Sequence, residues 1–125
     1  ELNRMRSLIE ASGMKDRVHL PGLVLDPYVP FSIMNLYITL NLGPLTGVAA
    51  MEAASSGVPV LAIQLVPEYQ PGVDDWIWSS SDPLELAECA IKLIQSPSDL
   101  KELSEKTNCL CSREAYDRLN GEFLL

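Results

Sequence analysis

No lysine or arginine occurs between Arg17 and Lys92, in a chain of 125 residues that carries 9 Lys plus Arg, 17 Asp plus Glu and a formal charge of -8. That balance argues against nucleic acid or an anionic membrane as a partner, since both select basic surfaces. An anion bound in the middle of the chain must be held by backbone dipoles or by cations from elsewhere. Cysteine is also scarce: Cys89, Cys109 and Cys111 are an odd number without a CxxC pair, and the single histidine, His19, is remote from them. No zinc set follows, and reduced thiols in a cytoplasmic protein are the expectation. No metal or cofactor is expected. Apolar runs end well short of the roughly 20 residues that a membrane span needs. The first residues, ELNRMRSLIEASG, have neither the apolar core nor the cleavage site of a signal peptide. No GxGxxG marks a dinucleotide site.

What is present alternates between helix and strand. Leu2, Met5, Leu8 and Ile9 recur at helical spacing up to a stop at Gly13. RVHLPG (17–22) predicts a strand with His19 on it, and the proline-rich DPYVPFSIM holds no more than a helical turn. NLYITLN (35–41) predicts a strand buried on both faces, followed by a turn at Gly43-Pro44. GVAAMEAASS predicts a helix up to Gly57, and PVLAIQ (59–64) and WIWSSS (76–81) predict two more strands. Asp82-Pro83-Leu84-Glu85 has the order of a helix start: cap, N1 proline and acidic N3. Leu84, Ala87, Ile91 and Ile94 then share one face. Ser96-Pro97-Ser98-Asp99 opens a further helix, and the amphipathic SREAYDRLNGEFLL closes the chain. The whole forms one α/β domain over 1–125, a parallel sheet flanked by helices on both faces.

The stretch NLGPLTGVAAMEAASSGVPVLAIQ (41–64) is unusual in one respect: its loop and first helical turn are uncharged until Glu52. The first N–H groups of a helix have no intrahelical acceptor, so something else must satisfy them. Thr46 can cap the N–H of Val48 or Ala49. Gly47 leaves room for a ligand to approach, and in parallel sheets ligands sit at the carboxyl ends of strands beside such helix starts.

Several stretches together resemble the C-terminal, donor-binding domain of GT-B fold glycosyltransferases of the family 4 kind. They are Val18-His19-Leu20-Pro21-Gly22, Met34-Asn35 through Asn41, Gly47 with Glu52-Ala53, Gly57-Val58-Pro59-Val60, Glu68, and Asp82-Pro83-Leu84-Glu85-Leu86-Ala87. The likeness spans roughly residues 1 to 108, and GVAAMEAASSGVPV is its most specific part. It implies a Rossmann-like half of a GT-B fold and a UDP-, GDP- or ADP-sugar donor. The diphosphate would meet the N–H groups of Gly47, Val48 and Ala49, and Glu52 would accept from the ribose hydroxyls. Asn41 and Thr46 would assist, and Glu68 matches a family glutamate in a following loop.

Departures stand beside the likeness. Pro44 occupies the place of the family glutamate that contacts the donor sugar, Asn35 replaces an acidic residue, Asn41 replaces a serine, and Trp76 stands where glycine is usual. In the family, two further strands and a helix precede the segment corresponding to Glu1 and carry the Arg and Lys that neutralise the diphosphate. The expectation is therefore a piece of a longer enzyme, incomplete on its N-terminal side and inactive alone. The missing strands would lie between those at Val18 and Tyr37, and a missing N-terminal domain would bind the sugar, lipid or protein acceptor. Unpaired sheet edges would then favour self-association, and the longer protein could lie at a membrane surface. The alternatives are a non-catalytic binding or scaffold domain that lost sugar recognition at Pro44, and a nucleotide-sugar epimerase of the same fold, which His19 alone does not support.

Overall fold

The computed structural model of the chain describes residues 1–26, 28–41, 48–64 and 77–110. Its elements, in order, are α1 (Leu2–Ala11), α2 (Tyr28–Phe31), β1 (Tyr37–Asn41), α3 (Val48–Ser55), β2 (Val60–Gln64), β3 (Ile77–Ser80), α4 (Pro83–Gln95) and α5 (Pro97–Leu110). The strands form one parallel sheet in the order β1-β2-β3, with Tyr37 opposite Val60 and Leu61 opposite Trp78. The closing segment SREAYDRLNGEFLL lies outside the described residues. No described helix is long and apolar enough to cross a membrane.

The period of two along β2 divides the core into two layers. Val60 and Ala62 point to one face, where they meet Ala50, Ala53 and Ala54 of α3, Val58, and Phe31 of α2. Leu61 and Ile63 point to the other, against Leu86, Cys89, Ala90 and Leu93 of α4. Helices thus cover both faces, as expected. The alanines of α3 are almost wholly buried, and their small side chains let the helix lie close to the sheet. Phe31 sits edge-on between Tyr28 and Tyr37, with ring centroids 6.4 and 6.2 Å away, a favoured aromatic geometry.

Both predicted glycine stops hold. Gly13 has φ +70°, donates to the Glu10 carbonyl at 3.1 Å and lets Met14 donate to that of Ile9. Gly57 has φ +79°, donates to Ala54 at 2.9 Å and lets Val58 reach back to Ala53 at 3.0 Å. In each case a left-handed residue satisfies the last helical carbonyls. α5 packs against both α3 and α4, and the Ser104 hydroxyl donates to the Gly57 carbonyl. A Cβ built on Gly57 would come no nearer than 3.8 Å to Ser104, so Gly57→Ala meets no clash, only its backbone. The expected loss is about 1–2 kcal/mol, the cost of an L-residue in that region, read as a lowered urea midpoint.

Three expectations fail. Residues 17–22 form no strand, and His19 lies exposed on irregular chain. A run of β-formers needs a neighbour to complete its ladder, and among the described residues β1 is hydrogen-bonded to β2 alone. β1 is also covered on one face only: Tyr37 joins the α3 layer, whereas Ile38 and Leu40 are exposed. Finally, Leu84, Ile91 and Ile94 share a face of α4 that is exposed. The inward stripe is Leu86, Cys89, Ala90 and Leu93, which satisfies the same helical spacing. The amphipathic stripe of α1 is likewise outward, with Leu2, Met5 and Leu8 exposed.

Candidate functional site

Because the strands are parallel, their carboxyl ends at Asn41, Gln64 and Ser80 lie along one edge of the sheet. Two helices begin near that edge, and they begin differently.

α4 closes its own start. The Asp82 carboxylate accepts from the Leu84 N–H at 2.8 Å, the Asp82 N–H donates to the Ser80 hydroxyl at 3.0 Å, and that hydroxyl donates to the Glu85 carboxylate at 2.6 Å. Ser80 thereby relays between cap and N3 residue, where a capping box makes the contact directly. The sequence marked Asp82 and Glu85 but not Ser80, whose only signal is its place two residues before the cap. With two carboxylates at its first turn, this start repels an anion.

α3 has no acidic residue in its first turn. Val48 and Ala49 open it and are exposed, Ala50 turns into the core, and Glu52 is half-buried one turn after Val48 on the same side. The Glu52 carbonyl accepts from the hydroxyls of Ser55 at 2.9 Å and Ser56 at 2.8 Å, which ties off the rear of the helix rather than its front. Asn41 is the last residue of β1, at the carboxyl edge. Val48 and Ala49 at the start of α3 and Asn41 at the end of β1 therefore lie at the same end of the β1–α3 unit, with Glu52 one turn further along the helix. Thr46, Gly47 and Glu68, with Pro44 and Trp76, lie outside the described residues.

Asn35 belongs elsewhere. It precedes β1, roughly 20 Å along the chain from Asn41 at about 3.3 Å per residue, and lines a depression of about 470 Å³ with Leu36, Ile94, Pro97 and Leu100. A neighbouring depression of about 240 Å³ shares Asn35 and adds Lys101 and Ser104. Both lie at the amino ends of the strands, away from the start of α3. Among the described residues no group of three His, Cys, Asp or Glu side chains could hold a metal.

Of the described thiols, Cys109 is exposed and Cys89 half-buried. Burial pushes the Cys89 thiol above its ordinary pKa, and nearby Lys92 only partly opposes this. At pH 8 iodoacetamide should label exposed Cys109 faster than half-buried Cys89, since the thiolate is the reactive form and burial disfavours it at Cys89. Peptide mapping by mass spectrometry measures the two rates, and equal rates would mean that the α4 layer opens readily.

A helix start free of acidic side chains lies at the carboxyl edge of a parallel sheet. The family model for glycosyl transferases group 1 matches residues 1–96. The chain belongs to the group 1 glycosyltransferases. No curated protein matches it. The matched stretch contains the three described strands and ends at Ser96, between α4 and α5. In this glycosyltransferase domain the match thus takes in the sheet with α3 and α4, and the α5 clamp on Gly57 lies beyond it. The matched stretch also includes residues 17–22, so membership does not by itself make that segment a strand.

Proposed function

We propose that this chain is the donor-binding part of a glycosyltransferase and seats a nucleoside-diphosphate sugar at the start of α3. The observation that carries this reading is the absence of acidic side chains from the exposed first turn, with a half-buried carboxylate at Glu52 one turn later. The N–H groups of Gly47, Val48 and Ala49 would donate to the diphosphate, Asn41 and Thr46 would assist, and Glu52 would accept from the ribose hydroxyls. Glu68 would border the same donor. Dipole contacts of this kind contribute about 0.3–1 kcal/mol each, up to about 2 when partly buried, too little to hold a diphosphate alone. Lys and Arg are absent from 18–91, so the balancing cations and the acceptor-binding surface would come from a longer protein.

Chemically, such a site assists departure of the nucleoside diphosphate, because negative charge grows on the phosphate as the sugar leaves. No nucleophile or base is assigned within the chain. A nucleotide panel tests the reading: UDP, GDP and ADP, with their sugar conjugates, titrated by calorimetry into the longer protein that supplies the balancing cations. One nucleoside series should bind. Silence across the panel would favour the second reading, a scaffold domain without donor, which Pro44 in place of the family's sugar-contacting glutamate supports.

A further inference from the structure

The turn that joins α3 to β2 is held from outside. Its Gly57 carbonyl accepts from the Ser104 hydroxyl of α5, and its Pro59 carbonyl accepts at 2.9 Å from the Tyr37 N–H, where β1 begins. Hydrogen bonds from Ser55, Ser56, the Gly57 N–H and the Val58 N–H, by contrast, return to carbonyls of α3 itself. Ser104 is half-buried, and Thr107, on the same face of α5, is 0% exposed. Because α5 packs against both α3 and α4, the turn is tied to a helix that also touches the layer on the opposite face of the sheet.

We propose that Ser104 is a positioning residue for the nucleoside-diphosphate site: on the reading that α3 seats the donor, its hydroxyl holds the α3–β2 turn and thereby the placement of the Val48 and Ala49 N–H groups and of Glu52. α3 meets the sheet through Ala50, Ala53 and Ala54. Apolar contact is non-directional, and side chains this small interlock little, so a directional tie fixes how the helix lies. The site needs that precision, because N–H···O bonds weaken steeply as they lengthen or bend and a binding group must be held to within about 0.5 Å. β1, which ends at Asn41, is fastened to the same turn through Tyr37. Ser55 is roughly 10 Å behind Val48 at 1.5 Å per residue, so Ser104, behind it again, touches no donor atom and acts through the helix. It also lies outside the stretch that the family model matches.

Calorimetry with UDP, GDP and ADP on the longer protein that supplies the cations tests the proposal. Ser104→Ala should weaken the nucleoside diphosphate that binds by about threefold to tenfold, within the range reached by residues that touch no ligand. Ser104→Thr, which keeps the hydroxyl, should bind as the unaltered protein does. Leu93→Ala separates placement from stability: it removes a side chain packed on the Leu61 layer, should lower the urea midpoint at least as far, and should leave affinity unchanged. In the Glu52→Ala background, Ser104→Ala should cost less than it does alone, because one contact that it places is already gone. An affinity unchanged by Ser104→Ala in a protein that binds nucleotide overturns the proposal and leaves the donor reading standing, as does an equal loss from Leu93→Ala. No nucleotide bound by the unaltered protein ends both. Should Ser104→Ala fail to fold, Ser104→Cys, similar in size and a weaker donor, decides in its place.

Discussion

Leu61→Ala should destabilise the domain by about 2–5 kcal/mol, the range for emptying a buried leucine site. Leu61 is 0% exposed and is the residue of β2 that meets Leu86 and Ala90, with Leu36 and Leu93 at the margin. Removing its side chain leaves a void between sheet and helix, and the central strand cannot move to fill it because Val60 and Ala62 hold its other face against α3. Domains of this size are stable by about 5–15 kcal/mol in all, so the loss is a large fraction of the total. Urea denaturation followed by circular dichroism measures it as a lower midpoint at unchanged slope. Leu84→Ala is the control: that side chain is 74% exposed, and its loss should stay within about 0.5 kcal/mol. A Leu61 penalty no larger than the Leu84 one would mean that α4 does not pack on the sheet as described.

The second large effect concerns ligand affinity. In the longer protein that supplies the cations, Glu52→Ala should weaken binding of the preferred nucleoside diphosphate about tenfold or more, a tenfold change being about 1.4 kcal/mol. Hydrogen bonds to a charged acceptor contribute about 1.5–3 kcal/mol, and two vicinal hydroxyls on one carboxylate reach that range. Glu52→Gln keeps the shape and one acceptor oxygen but loses the charge, so an intermediate loss is expected. The 2′-deoxy nucleotide supplies the complementary cut from the ligand side: it should bind the unaltered protein more weakly and the Glu52→Ala protein no worse than the ribonucleotide does. Calorimetry reads all of these, and an affinity unchanged by Glu52→Ala removes the ribose assignment while leaving the fold untouched.

The parts of this fold that could be read from the chain are those whose cause is local. PVLAIQ announces β2 because a strand covered on both faces is continuously apolar. Asp82-Pro83-Leu84-Glu85 announces α4 because capping uses residues within one turn. Gly57 announces the end of α3 because few other residues accept its φ. What failed depends on distant partners. RVHLPG has the composition of a strand and, among the described residues, no neighbour to pair with. α4 offers two stripes of equal helical spacing, and only the sheet's position chooses Leu86, Cys89, Ala90 and Leu93 over Leu84, Ala87, Ile91 and Ile94. For the site, the carboxyl edge, the uncharged start of α3 and the place of Glu52 were legible because they follow from strand direction and a turn of helix.

The Ser104 hydroxyl on the Gly57 carbonyl has a bearing on the opposite tip of α3, eight residues long, or about 12 Å at 1.5 Å per residue. α5 fastens its rear, and its buried alanines lie against the sheet. A bulkier residue on α5 near Asn108 would therefore be felt at Val48 as a change of aim, so the partner helix of the rear can tune a contact that it never touches.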